Sequence, residues 1–238
     1  MKLSILTLGL IGGFLGALAA LLLVSLAFPG LLAGNISNTA DLKPQSTATP
    51  LITPVDYTLQ LTSEASLSSV AIQTFQGDKL AKQGSGIIIS SDGLILTTAD
   101  VISGGTAVQV LFGDKIYKGW AMSLNRLLNL AILKIADVSD MTISELDNSS
   151  QFTSGQELIL TGKTSLLSGP EVFTQKGLVN YVTNSEVLLD TSVSSYISGA
   201  KILSSSGKLM GMAYIRAGKV YALRAQVLSD FINKYLSK

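Results

Sequence analysis

"QGSGIIISSDGLILTTADVI" runs from Gln83 to Ile102 and decides how the chain is read. Two apolar, β-branched-rich runs, Gly86–Ile89 and Leu94–Thr98, flank Ser91-Asp92-Gly93. Strand-length runs separated by such a turn predict an antiparallel hairpin. The second run stops in small residues with one acid, Asp100, at the junction. A carboxylate placed beside an apolar strand must be hydrated, hydrogen-bonded or put to use.

The same pattern continues outward from this hairpin. "AVQVLF", "LAILKI", "ELILTG", "GLVNYV", "EVLLD", "KLMGMAYI" and "KVYALRA" are each of strand length, and Gly113-Asp114, Ser206-Gly207 and Ala217-Gly218 punctuate them. No long helical period lies between them, which argues against a parallel α/β sheet. Many short strands with frequent turns predict an all-β sandwich or a pair of barrels. The end differs: in "QVLSDFINKYLSK", Val227, Leu228, Phe231, Ile232, Tyr235 and Leu236 share one face at helical spacing. This helix is expected against the last barrel. Tyr117 and Trp120 are expected to cover the barrel.

Composition excludes several classes. Seventeen basic and 16 acidic residues leave a net charge of +1, without a basic stripe, so a nucleic-acid surface is not expected. With no Cys there is neither a disulfide framework nor a thiolate metal site. With no His, the commonest general base and metal ligand are both missing. The acids are scattered, and neither a metal nor a cofactor is expected.

Leu3 to Ala33 carries no charge. About 20 apolar residues cross a bilayer, whereas the apolar region of a cleaved signal is typically about 7–15 residues. Residues 1–33 are therefore expected to form one uncleaved transmembrane signal-anchor helix. A removed signal, cut after "ALA" at Ala17–Ala19, is the weaker reading. Lys2 before the span predicts a cytoplasmic N-terminus and an extracytoplasmic C-terminal domain at the cell membrane. Residues 34–56 are rich in Ser, Thr and Pro and read as a linker. The folded body is expected over 57–238.

The order of segments resembles the trypsin-like HtrA/Deg serine proteases. The Gln83–Ile102 stretch is similar to their first signature, a G-S-G strand, D-G turn and strand leading into T-x-x-H-V-V. "LLNLAILKI", Leu127 to Ile135, is similar to the second, in which an aspartate precedes L-A-L-L-K-I. "LLDTSVSSYISGAKILSSSGKLMGM", Leu188 to Met212, is similar to the third, built on G-N-S-G-G-P-L. "KGLVNYV" matches the family strand S-G-I-V-S. The likeness covers most of Ala65 to Leu236. It implies a chymotrypsin-like double β-barrel with a C-terminal helix. It also implies a trimer, whereas the C-terminal PDZ domain that relatives often carry is not expected here.

Laid on that pattern, Ser198 stands at the nucleophile position, with Gly199 after it. Asp100 takes the histidine's place and Asn129 that of the orienting aspartate, 29 residues apart and with 69 more to Ser198. Imidazole titrates near 6.5 and serves as base and then acid at neutral pH. A carboxylate is a far weaker base, and a shorter one, not expected to reach both Ser198 and Asn129. Asn129 cannot stabilise a developing imidazolium, and loss of that charge costs roughly 10⁴ in turnover. Tyr196 replaces the glycine whose N–H points at the oxyanion, where losing one donor costs about 3–4 kcal/mol. Ala200 and Lys201 replace the following glycine and proline.

The sequence therefore predicts a membrane-anchored HtrA/Deg-like pseudoprotease that binds polypeptide or an envelope protein. A residual hydrolase using Ser198 is the alternative. Tyr196, Gly199 and Asp190 are candidate cleft residues, Asp190 more simply a loop anchor. Asp100 is expected in a structural hydrogen bond to Ser198, Asn129 or a backbone amide. Lys201, three residues beyond Ser198 on a strand, is expected on the opposite face as a solvated lysine.

Overall fold

The computed structural model describes residues 54–165, 169–184 and 186–237. The expected signal-anchor and nearly all of the expected linker lie outside the described residues. Among the described residues, no helix is long and apolar enough to cross a membrane.

Twelve strands form two closed antiparallel barrels. The first contains β1 (Ser69–Gln76), β2 (Lys79–Ile88), β3 (Leu94–Thr98), β4 (Ala107–Phe112), β5 (Lys115–Asn125) and β6 (Leu130–Lys134), in the order β1-β2-β3-β6-β5-β4. The second contains β7 (Glu157–Thr164), β8 (Glu171–Val182), β9 (Val187–Asp190), β10 (Lys201–Leu203), β11 (Leu209–Arg216) and β12 (Lys219–Arg224), in the order β10-β11-β12-β9-β8-β7. The opening hairpin is β2–β3, with Ile87 opposite Leu96. Its turn needs glycine: Gly93 has φ +100°, and a Cβ there would lie 2.7 Å from the Ile135 carbonyl.

Each barrel closes around alternating inward side chains, as the period of two dictates. Val70, Ile72, Ile88, Ile95, Val110 and Leu133 fill the first. Leu158, Leu160, Val179, Leu189, Ile202 and Val220 fill the second. A third cluster joins residues of both barrels, among them Ile87, Leu96, Ile132, Ile159, Leu203 and Met212, and it receives Leu228 and Phe231 from the C-terminal helix.

Among the described residues, three helical segments accompany the strands: α1 (Pro54–Leu67), α2 (Ala99–Ile102) and α3 (Ala225–Leu236). The α1 helix begins at Pro54, inside the last three residues of the expected linker 34–56. Its Ser- and Thr-rich sequence, "PVDYTLQLTSEASL", carries little apolar periodicity, so nothing marked it as helical. The α3 helix forms where expected but packs on both barrels, not the second alone. Leu236, placed on its apolar face, is 62% exposed because the helix ends there.

Candidate active site

The site is assembled where the barrels meet. In the first barrel, β3 runs into the single turn α2, whose first residues are Ala99 and Asp100. The turn from Arg126 to Asn129 precedes β6, and Asn129 takes a left-handed φ of +54°, a conformation asparagine tolerates better than most residues. From there Asn129 accepts two backbone bonds from α2. The Asp100 N–H donates to its Oδ1 at 2.9 Å, and the Ala99 N–H to its carbonyl at 3.1 Å. Asn129 thus holds Asp100 in place through the main chain.

In the second barrel, the segment before β10 carries Ser198. Its hydroxyl donates to Oδ2 of Asp100 at 3.1 Å and accepts the Ile215 N–H at 3.2 Å. The Asp100 carboxylate meets Ser198 alone, and it is the backbone amide of Asp100 that meets Asn129, so the carboxylate does not span the two. Ser198 is 2% exposed, and the second carboxylate oxygen of Asp100 is buried without a partner among the described residues.

The surrounding main chain explains the glycines. Gly199 has φ +86°, and a Cβ on it would fall 1.9 Å from the Ser85 carbonyl. A Cβ on Gly84 would lie 2.6 Å from the Ser198 carbonyl, which in turn accepts the Ser85 N–H at 2.9 Å. "QGSG" therefore exists because strand β2 lies directly against the serine-bearing segment. The Thr97 hydroxyl donates to the Ser85 carbonyl at 2.8 Å, and the Ser85 hydroxyl to the Lys163 carbonyl at 2.7 Å. Gly84, Ser85, Thr97 and Ile215 are supports that sequence reasoning missed. The G-S-G pattern was the available signal.

Tyr196 is half-buried, its ring edge-on to Phe173 at 4.8 Å between centroids, and it does not adopt a positive φ. Nearby amides are turned to internal carbonyls: Ile197 to Ser194, Gly199 to Ala213 and Ala200 to Ile197. Asp190 is exposed at the end of β9, beside a shallow depression of about 220 Å³ shared with Thr191, Val193 and Lys219. It is not bonded to the Ser198–Asp100–Asn129 cluster.

Lys201, the first residue of β10, bonds away from the Ser198–Asp100 pair, but it is not solvated. It is 1% exposed, and its Nζ donates to the Ala65 carbonyl at 2.7 Å and the Ser68 hydroxyl at 2.6 Å. Ser68 in turn lies 3.0 Å from the Ser144 hydroxyl. Burial, and secondarily the charge of Lys163, lower the Lys201 pKa from 10.5 to about 7. The unexpected α1 helix is what covers it: Ala65 is in its last turn. Lys201 forms part of the wall of a groove of about 530 Å³ that Glu64, Ile143 and Glu145 also line. Among the described residues, no group of three or more acidic residues is arranged to hold a metal.

Comparison with known proteins agrees with this arrangement. Residues 84–212 match the model of the trypsin-like peptidase domain. Serine protease HTR4 of Rattus norvegicus is 25% identical over 208 residues, covering 78% of this chain and 42% of that protein. Serine endoprotease DegS of Haemophilus influenzae is 24% identical over 242 residues, covering 93% of this chain and 69% of that protein. The crystal structure of a serine endoprotease from Yersinia pestis shares the fold, with TM-score 0.65 and 20% identity over 76% of this chain and 67% of that one. The chain spans about two fifths of the length of the mammalian relatives it matches. Two six-stranded barrels, a serine in the seam between them and the matched family model together show that the chain belongs to the trypsin-like peptidase family, as an HtrA/Deg-like protease domain.

Proposed function

We propose that this chain is a catalytically inactive, membrane-anchored HtrA/Deg-like protease homologue that acts outside the cytoplasm by binding polypeptide. The observation that carries the reading is the Ser198 hydroxyl donating to a carboxylate in a chain without histidine. A serine attacks a peptide carbonyl when a base takes its proton and later protonates the leaving amine. The carboxylate of Asp100 is an acceptor and a poor shuttle, and no imidazole stands behind it. Ser198 is also nearly sealed from solvent. Asn129 uses its side-chain oxygen on a backbone amide, so it offers no charge to a developing cation.

Polypeptide binding draws its support from what persists. Recognition of an extended chain uses main-chain hydrogen bonds and side-chain pockets, neither of which requires a proton shuttle. Anchoring draws its support from the uncharged run Leu3–Ala33.

A fluorophosphonate probe tests the central claim on the full chain in detergent, beside an active relative as positive control. The expected result is no adduct on this chain while the relative labels fully. An adduct that disappears in Ser198→Ala, with matching loss of peptide cleavage, establishes a residual hydrolase instead.

A further inference from the structure

The outer face of β5 is apolar where a barrel surface is normally polar. Ile116, Trp120, Met122 and Leu124 are all exposed, between 43% and 64%, and the strand shifts register at Met122. Leu127 and Leu128 follow on the turn into β6, and Leu127 is 98% exposed. Of the residues between Ile116 and Trp120, Tyr117 packs against the first-barrel cluster and Gly119 is buried. Trp120 thus corrects the expectation that both aromatics cover the barrel: Tyr117 does so and Trp120 turns out to water. Contiguous exposed apolar surface of this kind marks an interaction site.

Cations frame the stripe. Lys115, Lys118 and Arg126 are exposed and lie within or beside it, and none is paired with a carboxylate among the described residues. The Lys118 ammonium lies 5.7 Å from the centre of the Trp120 ring. Lys234 of α3 shares a small depression with Leu124. The acids nearby are Asp114, at the start of the stretch, and Asp92, which is occupied by Lys134. An indole and aliphatic tips ringed by lysine and arginine match the boundary between headgroups and acyl chains of an anionic bilayer.

We infer that the β5 face and the following turn dock on the surface of an anionic lipid membrane. The inference rests on the proposed anchoring and deepens it. Twenty residues, 34–53, separate the apolar run from α1. Even fully extended, twenty residues span at most about 70 Å, so an anchored domain stays close enough to a bilayer for a weak surface contact to form. Because Leu127 and Leu128 immediately precede Asn129, docking sets the Ser198 seam close to the lipid surface.

Trp120 is the only tryptophan in the chain, so its fluorescence reports this face alone. The full chain is reconstituted in vesicles containing phosphatidylglycerol and in vesicles of phosphatidylcholine only, each with and without lipids brominated near the headgroup. Docking predicts blue-shifted emission and strong bromine quenching in the anionic vesicles, with much less in the neutral ones. Substituting Lys115, Lys118 and Arg126 by Gln lowers the docked-to-undocked ratio on the order of a hundred-fold, and Leu127→Glu also lowers quenching. These positions are exposed, so the variants keep the fold.

A chain that floats with vesicles while Trp120 stays red-emitting and unquenched overturns docking and leaves anchoring intact. A chain that does not associate with either vesicle overturns both. Concentration-dependent blue shift without bromine quenching, with self-cross-links at β5, assigns the face to a second copy and overturns the lipid assignment.

Discussion

The two sides of the segment 198–201 hold opposite charges that never meet. On one side Asp100, a carboxylate, is bonded by a neutral hydroxyl and has no cation paired with it among the described residues. On the other, Lys201, an amine buried to 1% exposure, is bonded by a carbonyl and a hydroxyl and has no paired anion among the described residues. A turn through Ser198 and Gly199, with Gly199 at φ +86°, separates Ser198 from Lys201 at the start of β10, and the two side chains bond different partners. Each side instead uses neutral oxygen and hydrogen donors, which satisfy geometry but not charge. In the proposed reading, the first side is a dismantled catalytic seam and the second a support for α1.

The sharpest way to break the comparison is to move the segment itself. Gly199→Ala places a methyl 1.9 Å from a carbonyl oxygen at a left-handed φ and should cost at least about 3 kcal/mol by urea unfolding. Gly155→Ala is the control, because its φ is +82° with open space around the new Cβ, and it should cost only about 1 kcal/mol. Equal losses at the two positions would mean that β2 does not press on the serine segment.

The lysine side can be sharpened by pH. Lys201 titrates near 7 when folded against 10.5 when unfolded. Below pH 7 both states hold the proton, and the full cost of burying the ammonium is present. Between about 7 and 10.5 the folded chain loses its proton first, so stability rises; above that it levels off. The rise, taken as wild type minus Lys201→Met to remove other titrations, is expected to be on the order of a few kcal/mol. A flat difference would place Lys201 in water.

The acid side should respond least. Asp100→Ala strands the buried Ser198 hydroxyl and should cost about 1–3 kcal/mol, whereas Asp100→Asn retains an acceptor and should stay within about 1 kcal/mol. Both are measurable as shifts in urea midpoint at constant slope. If the two variants lose equally, the negative charge itself has a role that the hydrogen bond does not explain.

Much of this was legible locally. The hairpin at Gln83–Ile102, the strand-length runs and the α3 periodicity are short-range signals, and the strands and helix appear where those signals lie. The α1 helix was not legible, since a Ser/Thr-rich stretch without apolar spacing forms a helix only when something packs on it. Its absence from the sequence reading is what made Lys201 look solvated. Similarly, Tyr117 and Trp120 were both expected to cover the barrel, and no local signal told that Trp120 lies exposed.

By itself the sequence determined the strand-rich class and the chemistry that is missing. A chain without histidine has no imidazole in any conformation, and alternation of apolar residues imposes period-two structure wherever it folds. Only the tertiary structure decided the partners. The Ser198–Asp100 bond joins residues 98 positions apart, and Lys201 reaches Ala65 across 136. Such contacts arise from how two closed barrels and a helix dock, and no local spacing records where a surface will meet another.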